Sequence, residues 1–161
     1  MVSIRNVTWL AFLLPTALLG GALISQYGFG LYPCEMCMWQ RWPHFAAIIF
    51  ALFGLLFRSK SCSMPLVVAA TMAILISGLI GGFHAGVEYD WWEGFTSCTA
   101  NIASGGDMLD AIMNAPLVRC DVAPWSLFGI SLAGYNFLLS VGGATLILIL
   151  TANGRRSADN G

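Results

Sequence analysis

The chain has 161 residues, 58% hydrophobic and only 9% charged, with a mean hydropathy of +0.77. Soluble domains carry roughly 25% charged residues, so the composition excludes an ordinary water-soluble globule. A net charge of −1 without a basic stripe leaves nothing to neutralise phosphates, which excludes nucleic acid as a partner.

The length predicts a single membrane domain, 1–161, and four continuously apolar stretches follow in chain order. The first helix is expected over about 9–27 and the second over 40–57, followed by spans over 65–85 and 126–151. A helix rises ~1.5 Å per residue, so about 20 residues cross a ~30 Å hydrocarbon layer. The second stretch is the shortest, and reaches that length only by extending upstream past Arg41. Barrel strands would alternate over about ten residues; these runs do not alternate, so the fold class is an all-α four-helix membrane bundle. Glycines at 20, 21, 78, 81, 82, 142 and 143 suit close helix approach in a bilayer.

Two loops join the helices on one side, over about 28–39 and 86–125. In the second, Ser104-Gly-Gly-Asp107 can cap a short interfacial helix through Asn114, and Trp91, Trp92 and Phe95 read as interfacial anchors. Arg5, Arg58, Lys60, Arg155 and Arg156 fall on the opposite side from these loops, whereas seven of the eight acidic residues fall in or beside them. By the positive-inside rule both termini are cytoplasmic and both loops face outward. The first apolar run exceeds a signal peptide's usual core and no A-x-A site follows, so an uncleaved first span is expected.

Cys34, Cys37, Cys98 and Cys120 then lie on the outward side, where disulfides persist, and Cys62 lies alone on the other side. A structural staple would explain Cys98 and Cys120, because closing a loop of that length stabilises by ~3 kcal/mol. It explains Cys34-Glu-Met-Cys37 poorly, since so small a ring constrains little of the unfolded chain. C-x-x-C is the spacing of redox thiols. A four-cysteine zinc site is disfavoured by the 21 residues between Cys98 and Cys120, so no metal is expected. Arg41, one turn beyond Cys37, and a helix start near Cys37 both favour a thiolate there.

Cys34-Glu-Met-Cys37-Met-Trp-Gln-Arg41 resembles the C-x-x-C-x-x-x-R signature of the disulfide bond formation protein B (DsbB) family. Cys120-Asp-Val-Ala-Pro-Trp125-Ser-Leu-Phe-Gly129 resembles that family's approach to its fourth helix, and His84-Ala-Gly-Val-Glu88 with Trp91-Trp92 is similar to its smaller members. The resemblance covers nearly the whole chain. It implies a multi-pass enzyme of the bacterial inner membrane, with its cysteine loops in the periplasm. Such an enzyme reoxidises a periplasmic DsbA-like thiol oxidase at the expense of membrane quinone, ubiquinone by preference. By that likeness Cys98 takes the mixed disulfide with the partner, Cys120 exchanges with Cys34, and Cys37 donates to quinone. Arg41 stabilises the thiolate and the reduced ring, and His84 and Glu88 join the quinone site. Two alternatives stand beside it. One is a non-catalytic four-helix protein with structural disulfides. The other is a vitamin-K-epoxide-reductase-like enzyme, which the position of C-x-x-C before the second helix argues against.

Overall fold

The computed structural model describes residues 3–57, 60–94, 99–100 and 117–159. Within them four long helices follow one another: α1 (Ile4–Phe29), α2 (Glu35–Leu56), α3 (Lys60–Glu88) and α4 (Leu132–Asp159). Two short antiparallel pairs lie between α3 and α4. Thr99–Ala100 (β1) pairs with Leu117–Val118 (β2), and Ser126–Leu127 (β3) pairs with Ile130–Ser131 (β4). Stretches in α1, α3 and α4 are long and apolar enough to cross a membrane. α2 has the length, 22 residues, but carries Gln40, Arg41 and His44 in its first turns.

Each helix boundary has a local cause. Ser3 caps α1 by accepting from the Asn6 amide, and Gly30, in the left-handed region at φ 68°, ends it. The Gly30 and Leu31 amides both reach back to the Ser25 carbonyl, which closes the last turn. That closure lets the chain reverse within five residues and start α2. There the cap is Cys34, whose sulfur accepts from the Cys37 amide at 3.3 Å. A sulfur thus occupies the place that serine or aspartate usually fills.

α4 begins at Leu132 rather than 126, and the six residues before it form a hairpin. Phe128 (φ 52°) and Gly129 (φ 77°) both take positive φ, as a two-residue I′ turn requires. Tyr89 pins this hairpin to the end of α3: its hydroxyl donates to the Gly129 carbonyl and accepts from the Ser131 amide. α1, α2 and α3 all run longer than the expected 9–27, 40–57 and 65–85. Arg58, Phe95, Cys98 and the expected interfacial helix over 104–114 lie outside the described residues.

The core of one half of the bundle is built from small residues: Ala11, Ala47, Ala51, Ala70 and Ala144 pack with Val7, Val67, Ile74 and Ile147. Small side chains allow the close approach that membrane helices depend on. At Gly81 a methyl group would meet the Ala133 carbonyl and the Asn136 and Gln40 amides at 3.0–3.1 Å, so a side chain here would press α3 against α4. Gly20, Gly21 and Gly142 have open space instead. A second cluster at the other end holds Cys34, Met36, Val87 and Cys120, and it forms the site.

Candidate functional site

The amino end of α2, the carboxyl end of α3 and the strand leading to Cys120 meet at one end of the bundle. Cys34 Sγ lies 2.9 Å from Cys37 Sγ, within easy reach of the ~2.05 Å disulfide bond. Cys34 is 3% and Cys120 5% exposed. The sulfurs of Cys34 and Cys120 and an imidazole nitrogen of His84 all lie within 4.8 Å of one another. Cys34 Sγ is 3.5 Å from His84 Nε2, which also reaches the Cys120 carbonyl at 3.2 Å. The hydrogen bond to Cys37 and burial push the Cys34 thiol well above its ordinary range. Cys34 is therefore held as the protonated partner of the pair.

His84 is oriented from both sides. Its Nδ1 faces Gln40 Nε2 at 2.8 Å, and a Glu88 carboxylate oxygen stands 3.8 Å from its Nε2. The other Glu88 oxygen accepts from the Ser131 hydroxyl, which also accepts from the Gly134 amide in the first turn of α4. The acid thereby ties the α3 end to the α4 start. Beside Cys120, Arg119 pairs with Asp121 on the exposed surface and holds its carboxyl below the usual carboxylate range.

Cys37 opens on a different space. A cavity of about 250 Å³ lies between α1, α2 and α4. Its polar wall consists of Gln40, Arg41, His44, Tyr135 and Asn136 beside the Cys37 sulfur, and its α1 wall includes Gly21, Ala22 and Ser25. Arg41 is 9% exposed and spans from α2 to α1, donating to Gln26 Oε1 at 2.5 Å and to the Ala22 carbonyl at 3.3 Å. His84 and Glu88, expected at the quinone site, are not part of this wall; they meet Cys34, Cys120 and Ser131 instead. Cys98 lies outside the described residues, and Cys62 is exposed near the start of α3.

Sequence reasoning missed Gln40, His44 and Asn136. Asn136 Nδ2 donates to Gln40 Oε1 at 2.8 Å, and His44 Nε2 lies 2.9 Å from Asn136 Oδ1. Gln40 and His44 flank Arg41 on α2, and Asn136 interrupts the apolar run of α4; polar residues set in apolar helices were the available signal.

A quinone head group fits this setting by its chemistry. The cavity is largely apolar, borders a thiol, carries one guanidinium, and is lined by His44, whose buried Nδ1 has no hydrogen-bond partner among the described residues. The Cys34–His84–Cys120 trio also has the donor types of a thiophilic metal site.

A family model described as Disulfide bond formation protein DsbB matches residues 4–150. The chain is 30% identical to Disulfide bond formation protein B of Verminephrobacter eiseniae, over 96% of this chain and 89% of that one. It is 27% identical to the protein of that name from Paracidovorax citrulli, over 90% of each, and 29% identical to the one from a Polaromonas species, over 91% and 89%. No solved structure matches. A multi-pass helical chain with a buried cysteine cluster at one end, matched by that family from Ile4 to Leu150, belongs to the disulfide bond formation protein B family.

Proposed function

We propose that this chain oxidises a periplasmic DsbA-like thiol oxidase and passes the electrons through two cysteine pairs to membrane quinone. The carrying observation is that Cys34 is shared: it lies 2.9 Å from Cys37 on one side and within 4.8 Å of Cys120 on the other. Cys37 in turn borders the cavity. Thiol–disulfide exchange needs a thiolate in line with a neighbouring disulfide, and this arrangement supports it in both directions.

The relay starts with a thiolate of the partner attacking the Cys98–Cys120 disulfide. Its bond to Cys98 forms as the Cys98–Cys120 bond breaks, leaving Cys120 as thiolate. Cys120 attacks Cys34, the Cys34–Cys37 bond breaks, and Cys37 becomes the thiolate facing the cavity. The partner's second thiol attacks the mixed disulfide, loses its proton and frees Cys98 as thiolate. Cys98 then attacks Cys120, and the Cys98–Cys120 bond re-forms as the Cys120–Cys34 bond breaks, leaving Cys34 and Cys37 both reduced. His84 donates its Nε2–H toward Cys34, which steadies charge at the sulfur during exchange, and Gln40 holds the imidazole ring. Gln40, Arg41 and Cys37 would hold the ring of a quinone. Bound there, quinone supplies the acceptor for two electrons and two protons, and Arg41 supplies the positive charge that balances the Cys37 thiolate.

In this reading the domain is single, all four helices span the bacterial inner membrane, both termini are cytoplasmic and the cysteine loops face the periplasm. The charge distribution supports that orientation. The test is reduction of ubiquinone by purified protein with a reduced DsbA-like partner. Failure of the wild type to reduce it would sink the proposal. Cys37→Ser should abolish turnover and Cys62→Ser should not. A metal-holding protein is the second reading, favoured only by the Cys34–His84–Cys120 trio. Stoichiometric zinc after purification, with no quinone reduction, would select it.

A further inference from the structure

The hydrogen-bond polarity across the bundle fixes which nitrogen of His44 carries its proton. Gln40 Nε2 donates to the Met36 carbonyl at 3.2 Å, so the amide nitrogen is at that end and its second hydrogen goes to His84 Nδ1. Gln40 Oε1 therefore accepts, and it accepts from Asn136 Nδ2, which also donates to the Ser77 carbonyl at 3.2 Å. Flipping Asn136 would set its oxygen against both of those acceptors. With Nδ2 so placed, Asn136 Oδ1 is the acceptor, and it takes hydrogens from Ser140 Oγ at 2.8 Å and from His44 Nε2 at 2.9 Å. His44 Nε2 thus bears the hydrogen, and in the neutral ring Nδ1 is a bare acceptor.

That acceptor is unsatisfied. Among the described residues His44 Nδ1 is the one buried side-chain nitrogen or oxygen without a hydrogen-bond partner, on a residue 3% exposed that also lines the cavity. Buried acceptors are ordinarily paired. An occupant of the cavity that reaches this nitrogen with an O–H donor removes the deficit, and one that brings only carbonyl oxygens does not.

We propose that His44 is a further ligand-binding residue of this cavity, whose Nδ1 accepts the O–H of a reduced, hydroquinone-type ring and so distinguishes it from the oxidised form. The inference rests on the quinone reading above. The chemistry balances without another reactant. The S–H bond of Cys34 breaks as its sulfur bonds to that of the Cys37 thiolate, and the two electrons pass to the ring, whose two oxygens take that proton and the one released by the partner's thiol. One of the two O–H groups made in this way is the donor that Nδ1 lacks. The neutral amides of Gln40 and Asn136 do not carry protons; they lock the tautomer and hold the imidazole in the wall.

Binding of ubiquinol-1 and ubiquinone-1 to the full chain in detergent, followed by tryptophan fluorescence, tests this. A Cys34→Ser background removes the disulfide and prevents turnover of ligand during the measurement. His44→Leu and His44→Asn should each weaken ubiquinol-1 by about three- to tenfold and leave ubiquinone-1 within about twofold, the loss expected for one neutral hydrogen bond. An unchanged ratio of the two affinities in both variants overturns the role of His44. Absence of saturable binding of either ring to the unsubstituted His44 protein overturns the quinone reading itself.

A second measurement does not depend on a variant folding. The chain has two histidines, so nitrogen NMR of ¹⁵N-imidazole-labelled protein resolves both rings, with His84→Asn assigning them. Saturating ubiquinol-1 should move the unprotonated Nδ1 signal of His44 and ubiquinone-1 should not. A His44 signal that moves alike with both ligands, or with neither at saturation, overturns the proposal.

Discussion

Cys34 Sγ and His84 Nε2 lie 3.5 Å apart although fifty residues separate them in the chain. The contact joins the cap of α2 to the last turns of α3, and both residues are almost fully buried. His84 Nδ1 accepts from Gln40, so its Nε2 carries the hydrogen and can only donate toward the sulfur or the Cys120 carbonyl. A donor fixed at that place favours negative charge on sulfur without being consumed.

His84→Ala should therefore slow the exchange between Cys120 and Cys34 by about 10²-fold, a usual loss for one fixed hydrogen-bond donor at a developing charge. Acid quenching and alkylation during a single turnover would follow the Cys34–Cys120 mixed disulfide directly. Exchange at the wild-type rate would remove His84 from the relay and leave it as a packing residue between α2 and α3.

The raised thiol of Cys34 leads to a labelling order. In the fully reduced protein a maleimide should modify exposed Cys62 rapidly at neutral pH, while Cys34 resists. Thiolate is the reactive form, and a thiol pushed upward releases its proton only at more alkaline pH. Labelling of Cys34 should climb as pH rises through the alkaline range, and Cys37→Ser should move that rise to lower pH by removing the sulfur partner. Mass mapping of peptides from a pH series checks this. Labelling of Cys34 as fast as Cys62 at neutral pH would contradict it.

These residues also show what could be read without coordinates. The helices were legible because continuous apolarity over a membrane's thickness has few other solutions, and the C-x-x-C before the second helix pointed to the disulfide-forming family that the chain belongs to. The hairpin from Ser126 to Ser131 was hidden. Ser-Leu-Phe-Gly-Ile-Ser merges with the apolar run of α4, and only Tyr89, from the far side of a long loop, fixes it as a turn. His84 was read toward the quinone but meets Cys34 and Cys120, because its direction on α3 depends on Gln40, 44 residues away. Asn136 and Gln40 lie 96 residues apart, and no local pattern pairs them.

Gly81 is where that pairing is most vulnerable. A methyl group there would stand 3.0 Å from the Ala133 carbonyl and from Asn136 Nδ2, both on α4. Gly81→Ala should destabilise the bundle by about 1–3 kcal/mol, the usual cost of overpacking. Gly20→Ala, with nothing within 4 Å of the added carbon, should be neutral within about 0.5 kcal/mol. Thermal unfolding of the two variants in detergent, side by side, separates close approach from general tolerance of glycine. Equal stability of both would show that α3 and α4 yield at this contact.

Arg41 carries the last prediction. Its guanidinium reaches across the cavity to two acceptors on α1, Gln26 Oε1 and the Ala22 carbonyl, and Ala22 is itself part of the cavity wall. The planar fork holds α1 at a set distance from Cys37 as well as supplying charge. Lysine keeps the charge but cannot hold two divergent acceptors in one plane. Arg41→Lys should thus raise the KM for ubiquinone by about tenfold, equivalent to ~1.4 kcal/mol, while exchange between Cys120 and Cys34 keeps its wild-type rate. Gln26→Ala, which removes one of the two acceptors and no charge, should produce a smaller rise of the same kind. Steady-state kinetics with varied ubiquinone, paired with the single-turnover exchange assay, read the two steps separately. An equal loss in both assays would mean that Arg41 supports the fold of the whole cysteine end, and that its reach to α1 has no special bearing on the cavity.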